Sequence, residues 1–571
     1  MKRSCALLTT AALTAMTFMP GQAQTKDDGQ PDKVTVHGSV QSDILFPEDD
    51  YAIGTEEYSS KILTNSYANA SIFSKYVEGG LRFEYLQHPL PGFEKKFKGW
   101  GVPNIYVKGK YAGVELTLGD FYDQFGSGFI LRTYEERSLG IDNSIRGARV
   151  KVNTLPGLRF TALGGVQRRF WDWDMHSKLA GADLEYDIQQ YSEALRNHDV
   201  RLTLGGSYVW KNERDESIEV NGTDGTNYRL NLPLNVNTFD LRANFNRREW
   251  SALVEYAWKS PDPSRDNNYT YRHGDALMLS GSYSKKGLSV LLQAKRSENM
   301  AFRSRRSQQG IAAFINNMPA FAYQHTYALA AMYPYATQAA PGEWAFQGAF
   351  GYNFKRKTAL GGKYGTKLRA AVSYIRGLDH DAVQRPSKPT DLPADVLYGT
   401  DGAKTPFFGM GELYYLDANL QLDKKITSAF SLNAMYMYQR FNQAVIEGHG
   451  GMVNSHIGVL DMKYRFDKRF TLRWELQYLG TKQDKQDWVY GLAELSILPY
   501  VMITVSDMWN CGNDNKDDRL HYYMFSVTGT YKSNRLMVGY GRTRAGYNCS
   551  GGVCRYVPAS RGFQISYNYN F

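Results

Sequence analysis

The chain has 571 residues, long for one ordinary soluble domain, and 14% of them are aromatic, with 41 Tyr against 28 Phe and 10 Trp. A mean hydropathy of −0.47 excludes a helical membrane protein, and a formal net charge of +10, spread without a dense cluster, argues against nucleic-acid binding. The Tyr excess suits a lipid–water boundary, where one end of the ring is dry and the other wet, better than it suits a soluble core.

The chain starts with Lys2 and Arg3, then an apolar stretch from Leu7 to Met19, then Pro20, Gly21 and Ala23 before Gln24. This is the layout of a secretory signal peptide cut near Ala23, so residues 1–23 are expected to be removed after Sec-type export. Cys5 precedes the apolar stretch and so does not mark a lipoprotein. Residues 24–32 read as a mobile leader, and 33–571 as a single domain of strands.

The strand reading rests on a period of two. Leu202, Leu204, Tyr208 and Trp210 alternate with Arg201, Thr203 and Ser207. The same pattern sets Leu288, Val290, Leu292 and Ala294 against Ser289, Gln293 and Lys295. Trp344, Phe346, Phe350, Tyr352 and Phe354 repeat it, as do Leu416, Ala418, Leu420 and Leu422, and then Leu472, Trp474, Leu476 and Tyr478. In the last run Phe563, Ile565, Tyr567, Tyr569 and Phe571 alternate with Gln564, Ser566, Asn568 and Asn570. A terminal aromatic on such a strand resembles the signal that barrel-assembly machinery reads.

Short turns near Asp423–Ile426, Asp467–Arg469, Leu498–Pro499 and Ser533–Asn534 alternate with longer loops at 442–452, 481–486, 510–519 and 546–560. Short turns on one side and long loops on the other are the pattern of a bacterial outer-membrane barrel. The expected fold is therefore all-β, a large single-chain transmembrane antiparallel barrel of about 26 strands, between roughly 22 and 28, with the count even because both termini share a side. Between 298 and 343 the alternation breaks, and 309–317 (QGIAAFINN) reads as a short helix or a plug element.

The stretch 114–150, VELTLGDFYDQFGSGFILRTYEERSLGIDNSIRGARV, is dense in charge and glycine. Gly126-Ser127-Gly128 is compatible with an anion-binding nest, but lacks the spacing of a P-loop, a dinucleotide fingerprint or a nucleophile elbow. Asp120, Arg132, Glu135, Glu136, Arg137, Asp142 and Arg146 are expected to form a charge network at the lumen or inner wall, where such groups need partners. No catalytic residue, metal ligand set or cofactor motif emerges. Residues 511–518 (CGNDNKDD) offer oxygens without the spacing of a calcium loop. Cys511, Cys549 and Cys554 allow one disulfide and one leftover thiol, with the pairing open.

The runs 119–150, 324–338 (QHTYALAAMYPYATQ) and 551–571 (GGVCRYVPASRGFQISYNYNF) resemble an uncharacterised family of Bacteroidota outer-membrane proteins. The resemblance implies location and fold and supplies no catalytic residue. Functionally, a channel for polar solutes or a barrel with a loop-constricted lumen is expected. The alternative is a scaffold subunit contacting other outer-membrane proteins. An outer-membrane enzyme fits less well, and so does a transporter with an N-terminal plug, because strand patterning starts near Val34. Partners expected are membrane lipid and, during biogenesis, the assembly machinery.

Overall fold

Each strand carries one apolar and one polar face, and the structure turns every apolar face the same way. It is a computed structural model that describes residues 33–571 except 56, 215, 223–224, 383–391 and 401–402. The expected signal peptide and leader lie outside the described residues.

Among the described residues, 24 strands pair antiparallel in a single ladder. The first, Thr35–Pro47, pairs with the last, Ser560–Asn570, from Ser39↔Asn570 to Pro47↔Gly562. The sheet closes on itself and leaves no edge of unpaired amides, which is what lets a sheet sit in hydrocarbon. One extra two-residue strand, Asp172–Trp173, folds back onto Arg168–Arg169. The count falls inside the expected range but below the expected 26. The region of broken alternation, 299–342, adds no strand to the wall.

The outward face is apolar. Leu476 and Tyr478 are 54% and 49% exposed, while Glu475 and Gln477 between them are buried at 4% and 3%. Exposed Leu204, Leu292 and Leu420 alternate in the same way with buried Thr203, Lys295 and Asn419. Aromatic pairs gather at both strand ends. Trp250–Tyr283, Tyr464–Phe466 and Tyr569–Phe571 lie at the short-turn end, and Phe46–Phe563 and Tyr208–Phe239 at the loop end. These are the two girdles of a transmembrane barrel.

The turns at 155–157, 247–249 and 285–287 fall on the same side as those at 425–430, 465–470, 497–501 and 531–534, and so do both ends of the described chain. From Phe430 to the end there are eight wall strands, as the turn pattern requires, besides a small hairpin at 546–557. The strands are uneven: Met410–Lys425 has 16 residues, whereas Val114–Phe121 and Ile145–Val152 have 8 each. These two short neighbours flank the segment 122–144, which folds into the barrel. Among the described residues the α-helices are Glu193–Asn197 and Gln443–Ile446, and no helix is long and apolar enough to cross a membrane.

Candidate functional site

The lumen is filled at its loop end by two segments of the chain itself. The apolar residues of 299–342 lack a period of two, so they cannot give a strand one greasy and one wet face. Phe302, Ile315, Phe321 and Met332 are buried inside the barrel instead, with Phe125, Phe129, Ile130 and Leu131 of 122–144. They pack on inward wall residues such as Val236, Ile375, Met437 and Leu479. The two segments are bonded to each other: Arg132 N–H donates to Ile315 O at 2.8 Å, and Asn316 Nδ2 donates to Phe129 O at 2.8 Å and Met300 O at 2.7 Å. Residues 309–317 are thus a plug element of turns and one bridge, not a helix.

Three fully buried wall lysines hold the plug by its carbonyls. Lys211 Nζ donates to Arg303 O at 3.0 Å, Lys259 Nζ to Ala301 O at 2.5 Å, and Lys295 Nζ to Pro319 O at 2.6 Å. Lys211 also pairs with Glu213 and Asp262, both at 3.0 Å, and Lys295 with Glu343 at 2.7 Å, which offsets the cost of burying the charges. The Phe302 ring lies 5.4 Å from the Lys211 ammonium and 5.9 Å from that of Lys259. Across the lumen Tyr323 N–H donates to Ser373 Oγ at 3.0 Å, His325 Nε2 meets Asp417 at 2.5 Å, and Leu329 N–H donates to Gln477 Oε1 at 2.8 Å. The plug is therefore tied to the wall on both sides.

The charged residues expected in 114–150 divide into three groups. Asp142, Glu135 and Arg137 join an ion-pair knot with residues the sequence did not single out, Arg82, Glu84 and Arg168. Arg82 pairs with Glu84 at 2.7 Å, with Glu135 at 3.0 Å and with Asp142. Arg168 pairs with Glu84 at 2.8 Å and with Asp142 at 2.5 Å, and Arg137 with Glu135 at 2.6 Å. Burial pushes the Asp142 carboxyl up, but Arg168, Arg82, the Ser144 N–H and the Tyr122 hydroxyl outweigh it and hold the group at about 2. Oxygens of Glu84, Glu135 and Asp142 lie within 4.8 Å of one another, close enough for a cation, but the two guanidiniums already contact them and supply the countercharge.

Arg132 and Glu136 lie on the same infolded segment without an ion pair among the described residues. Arg132 sits over the Tyr134 ring at 5.3 Å, and Glu136 accepts from the Ser138 hydroxyl at 2.7 Å. Asp120 and Arg146 face each other across neighbouring strands and pair at 2.6 Å, apart from the knot. Asp120 is 2% exposed and also accepts from Ile105 N–H at 2.8 Å, and the Arg146 guanidinium lies 3.3 Å from the Trp173 ring centroid.

The nest at Gly126-Ser127-Gly128 does hold an anion, supplied by the chain. Gly126 (φ 52°) and Gly128 (φ 93°) take the left-handed conformation, Ser127 N–H donates to Glu255 Oε1 at 2.8 Å, and Ser127 Oγ donates to Glu255 Oε2 at 2.5 Å. Cys549 and Cys554 face each other in the small hairpin 546–557, with Cα atoms 4.1 Å apart, and form the disulfide; Cys511 is the free thiol. The C-terminal residues Phe563, Ile565, Tyr567, Tyr569 and Phe571 line the seam. Phe571 N–H donates to Gly38 O at 2.9 Å and Gly38 N–H to Phe571 O at 3.0 Å. The Phe571 ring occupies the space a Gly38 side chain would need.

Sequence reading also missed a chamber of about 1030 Å³ at the short-turn end of the lumen. Eight basic side chains line it against two acidic ones, Asp423 and Asp461. Its roof is the plug: the Tyr327 hydroxyl lies 3.1 Å from Asn433 Oδ1 and 3.2 Å from Asp461 Oδ2, both on the chamber wall.

Among solved structures, the siderophore receptor PirA from Pseudomonas aeruginosa is 9% identical, with 94% of this chain and 80% of that one covered and a TM-score of 0.38. The ferric enterobactin receptor PfeA from the same organism is 10% identical, with 94% and 80% covered and a TM-score of 0.40. OccAB4 from Acinetobacter baumannii is 9% identical, with 95% and 98% covered and a TM-score of 0.35. The barrel assignment rests on the closed ladder, not on these distant likenesses. No curated protein matches the chain. A family described as one of unknown function (DUF6029) matches residues 1–571, and the chain belongs to that family.

Proposed function

We propose that the protein is an outer-membrane pore held closed by its own infolded loops, a gated conduit for polar solutes and not a standing channel. The observation that carries this reading is the contrast inside one barrel: a polar chamber at the short-turn end beneath an apolar plug at the loop end. The short turns and Phe571 then lie on the periplasmic side, after export and cleavage near Ala23, and the terminal aromatic strand serves the assembly machinery. The runs quoted above support a Bacteroidota-type outer membrane. No catalytic role is proposed.

The test is conductance in planar bilayers. The intact protein should be nearly silent. A variant with residues 304–338 replaced by a short Gly/Ser linker should conduct, once heat-dependent gel migration has shown that its barrel is formed. A folded excision variant that stays silent refutes the reading.

A second reading, a scaffold in an outer-membrane complex, is favoured by one feature. Phe407 and Phe408 of the loop 379–409 cover Trp344 on the outside of the rim, leaving Phe408 79% exposed to a neighbour. Co-purification of another outer-membrane protein that is lost in Phe408→Ser would support it.

A further inference from the structure

We infer that the basic chamber at the short-turn end is a binding site for a small solute carrying several phosphate groups. The argument starts from charge balance. Elsewhere in the lumen most buried bases have acids: Arg82, Arg168, Lys211, Arg242 and Lys295 each pair with at least one carboxylate, while Lys259 is capped by a plug carbonyl. In the chamber the balance is reversed. Of its eight bases only Arg473 is in an ion pair among the described residues, with Asp461 at 2.9 Å. The second acid, Asp423, is engaged at 2.7 Å by Arg369. Charge left unmatched in a concave, water-filled space raises the local concentration of anions.

The bases converge from separate elements. Lys367, Lys425, Lys463 and Arg473 share the inward face through the pairs Lys367↔Asp423, Lys425↔Ser431, Ser431↔Lys463 and Lys463↔Arg473. Lys286 and Lys355 add charge from the turns. Six of the eight bases are lysines. An ammonium is a point charge on a flexible stem, suited to phosphate oxygens in varied poses, whereas planar carboxylates favour the fork of arginine. The chamber's volume, near the top of the range of about 300–1,000 Å³ for small-molecule sites, suits a solute and exceeds what one ion needs. Tyr364, whose ring lies 5.2 Å from the Lys425 ammonium, gives aromatic surface beside it for a ring of that solute.

The inference rests on the pore reading for the side to which the chamber opens. Binding needs no conduction, so calorimetry on the intact, closed protein tests it separately. Tripolyphosphate titrated into the detergent-purified full chain at low salt should bind saturably, near one per chain, and more weakly at high salt. The triple variant K367Q/K425Q/K463Q should weaken it by at least about tenfold, the loss expected for three water-exposed ion pairs. The triple K75Q/K468Q/K532Q, whose lysines sit on turns of the same end but outside the chamber, should bind like the parent. Heat-dependent gel migration checks that both variants hold the barrel. Absence of saturable binding, equal loss in both triples, or equal affinity for tricarballylate would overturn the inference. Binding retained by a protein whose plug excision never conducts would overturn the pore reading alone.

Discussion

Replacing Arg82 by Met removes one of three guanidiniums from a site where Glu84, Glu135 and Asp142 converge, leaving Arg168 on Glu84 and Asp142 and Arg137 on Glu135. Arg82 and Glu84 are buried at 4% and 3%, so water reaches the under-compensated carboxylates poorly. Breaking such a buried pair from one side costs about 3–5 kcal/mol. Glu135 and Asp142 sit on the infolded segment and Arg82 on the wall, so much of that cost falls on docking. Local opening of 122–144 should then rise by roughly two to four powers of ten. Hydrogen–deuterium exchange on peptides covering 131–143 reads this directly, with 470–481 of the distant wall as the internal standard. A second substitution, Asp142→Asn, should cost less in the Arg82→Met background than in the parent, by at least about 1 kcal/mol, because one of three acids sharing the remaining guanidiniums is gone. Unchanged protection of 131–143, or strict additivity of the two substitutions, would refute the claim that this knot docks the segment.

The knot also sets a pH response. Asp142 is held at about 2, below the ordinary carboxylate value, so its contribution is fully present above about pH 4 and is lost as pH falls through its folded value. Tryptophan fluorescence should report a transition near that low pH, through Trp171 beside Arg168, and Asp142→Asn should abolish it. Gly126→Ala should loosen the nest by about 1–2 kcal/mol, since its Cβ would sit 2.5 Å from Glu255 Oε1 in a left-handed backbone, and exchange of 124–130 should rise while the wall stays protected. The Cys549–Cys554 disulfide closes too short a loop to govern the barrel, so replacing both cysteines by serine should leave the wall intact. About 2 kcal/mol should be lost within 546–557 alone, seen as faster exchange there with unchanged heat-dependent gel migration.

Wall strands were legible because their code is local. A residue such as Leu476 needs only its neighbours Glu475 and Gln477 to declare which face is greasy, and the spacing of turns from residue 430 onward fixed eight strands and their direction. The plug was visible only as a failure of that code between 298 and 343. Its attachments could not be read, because Lys211, Lys259 and Lys295 look like ordinary lysines on the polar faces of strands until the chain that covers them is placed. The signal was a base at the loop end of each inward face, just before a stretch without alternation. The ion-pair knot joins residues far apart in sequence, Arg82 with Asp142 and Arg168 with Glu84, so reading 119–150 alone found half of the first pair and neither member of the second.

The plug's composition decides what kind of conduit this barrel can be. Phe125, Phe129, Phe302, Phe321 and Ile315 are almost fully buried in the lumen. Returning them to water would cost about 2 kcal/mol each, near 10 kcal/mol together before any hydrogen bond is counted. At that cost a fully ejected plug has a population of about one in ten million. A porin constricted by polar loops needs no such step, since water can thread past polar groups at small cost. Spontaneous opening therefore cannot sustain transport here, and anything that passes requires either a partner that binds the ejected segments or a ligand that favours the open form by a comparable free energy. The chamber under Tyr327 is where a ligand could act from the short-turn end: a phosphate that draws Arg473 from Asp461 also disturbs the carboxylate on which the plug's tyrosine rests.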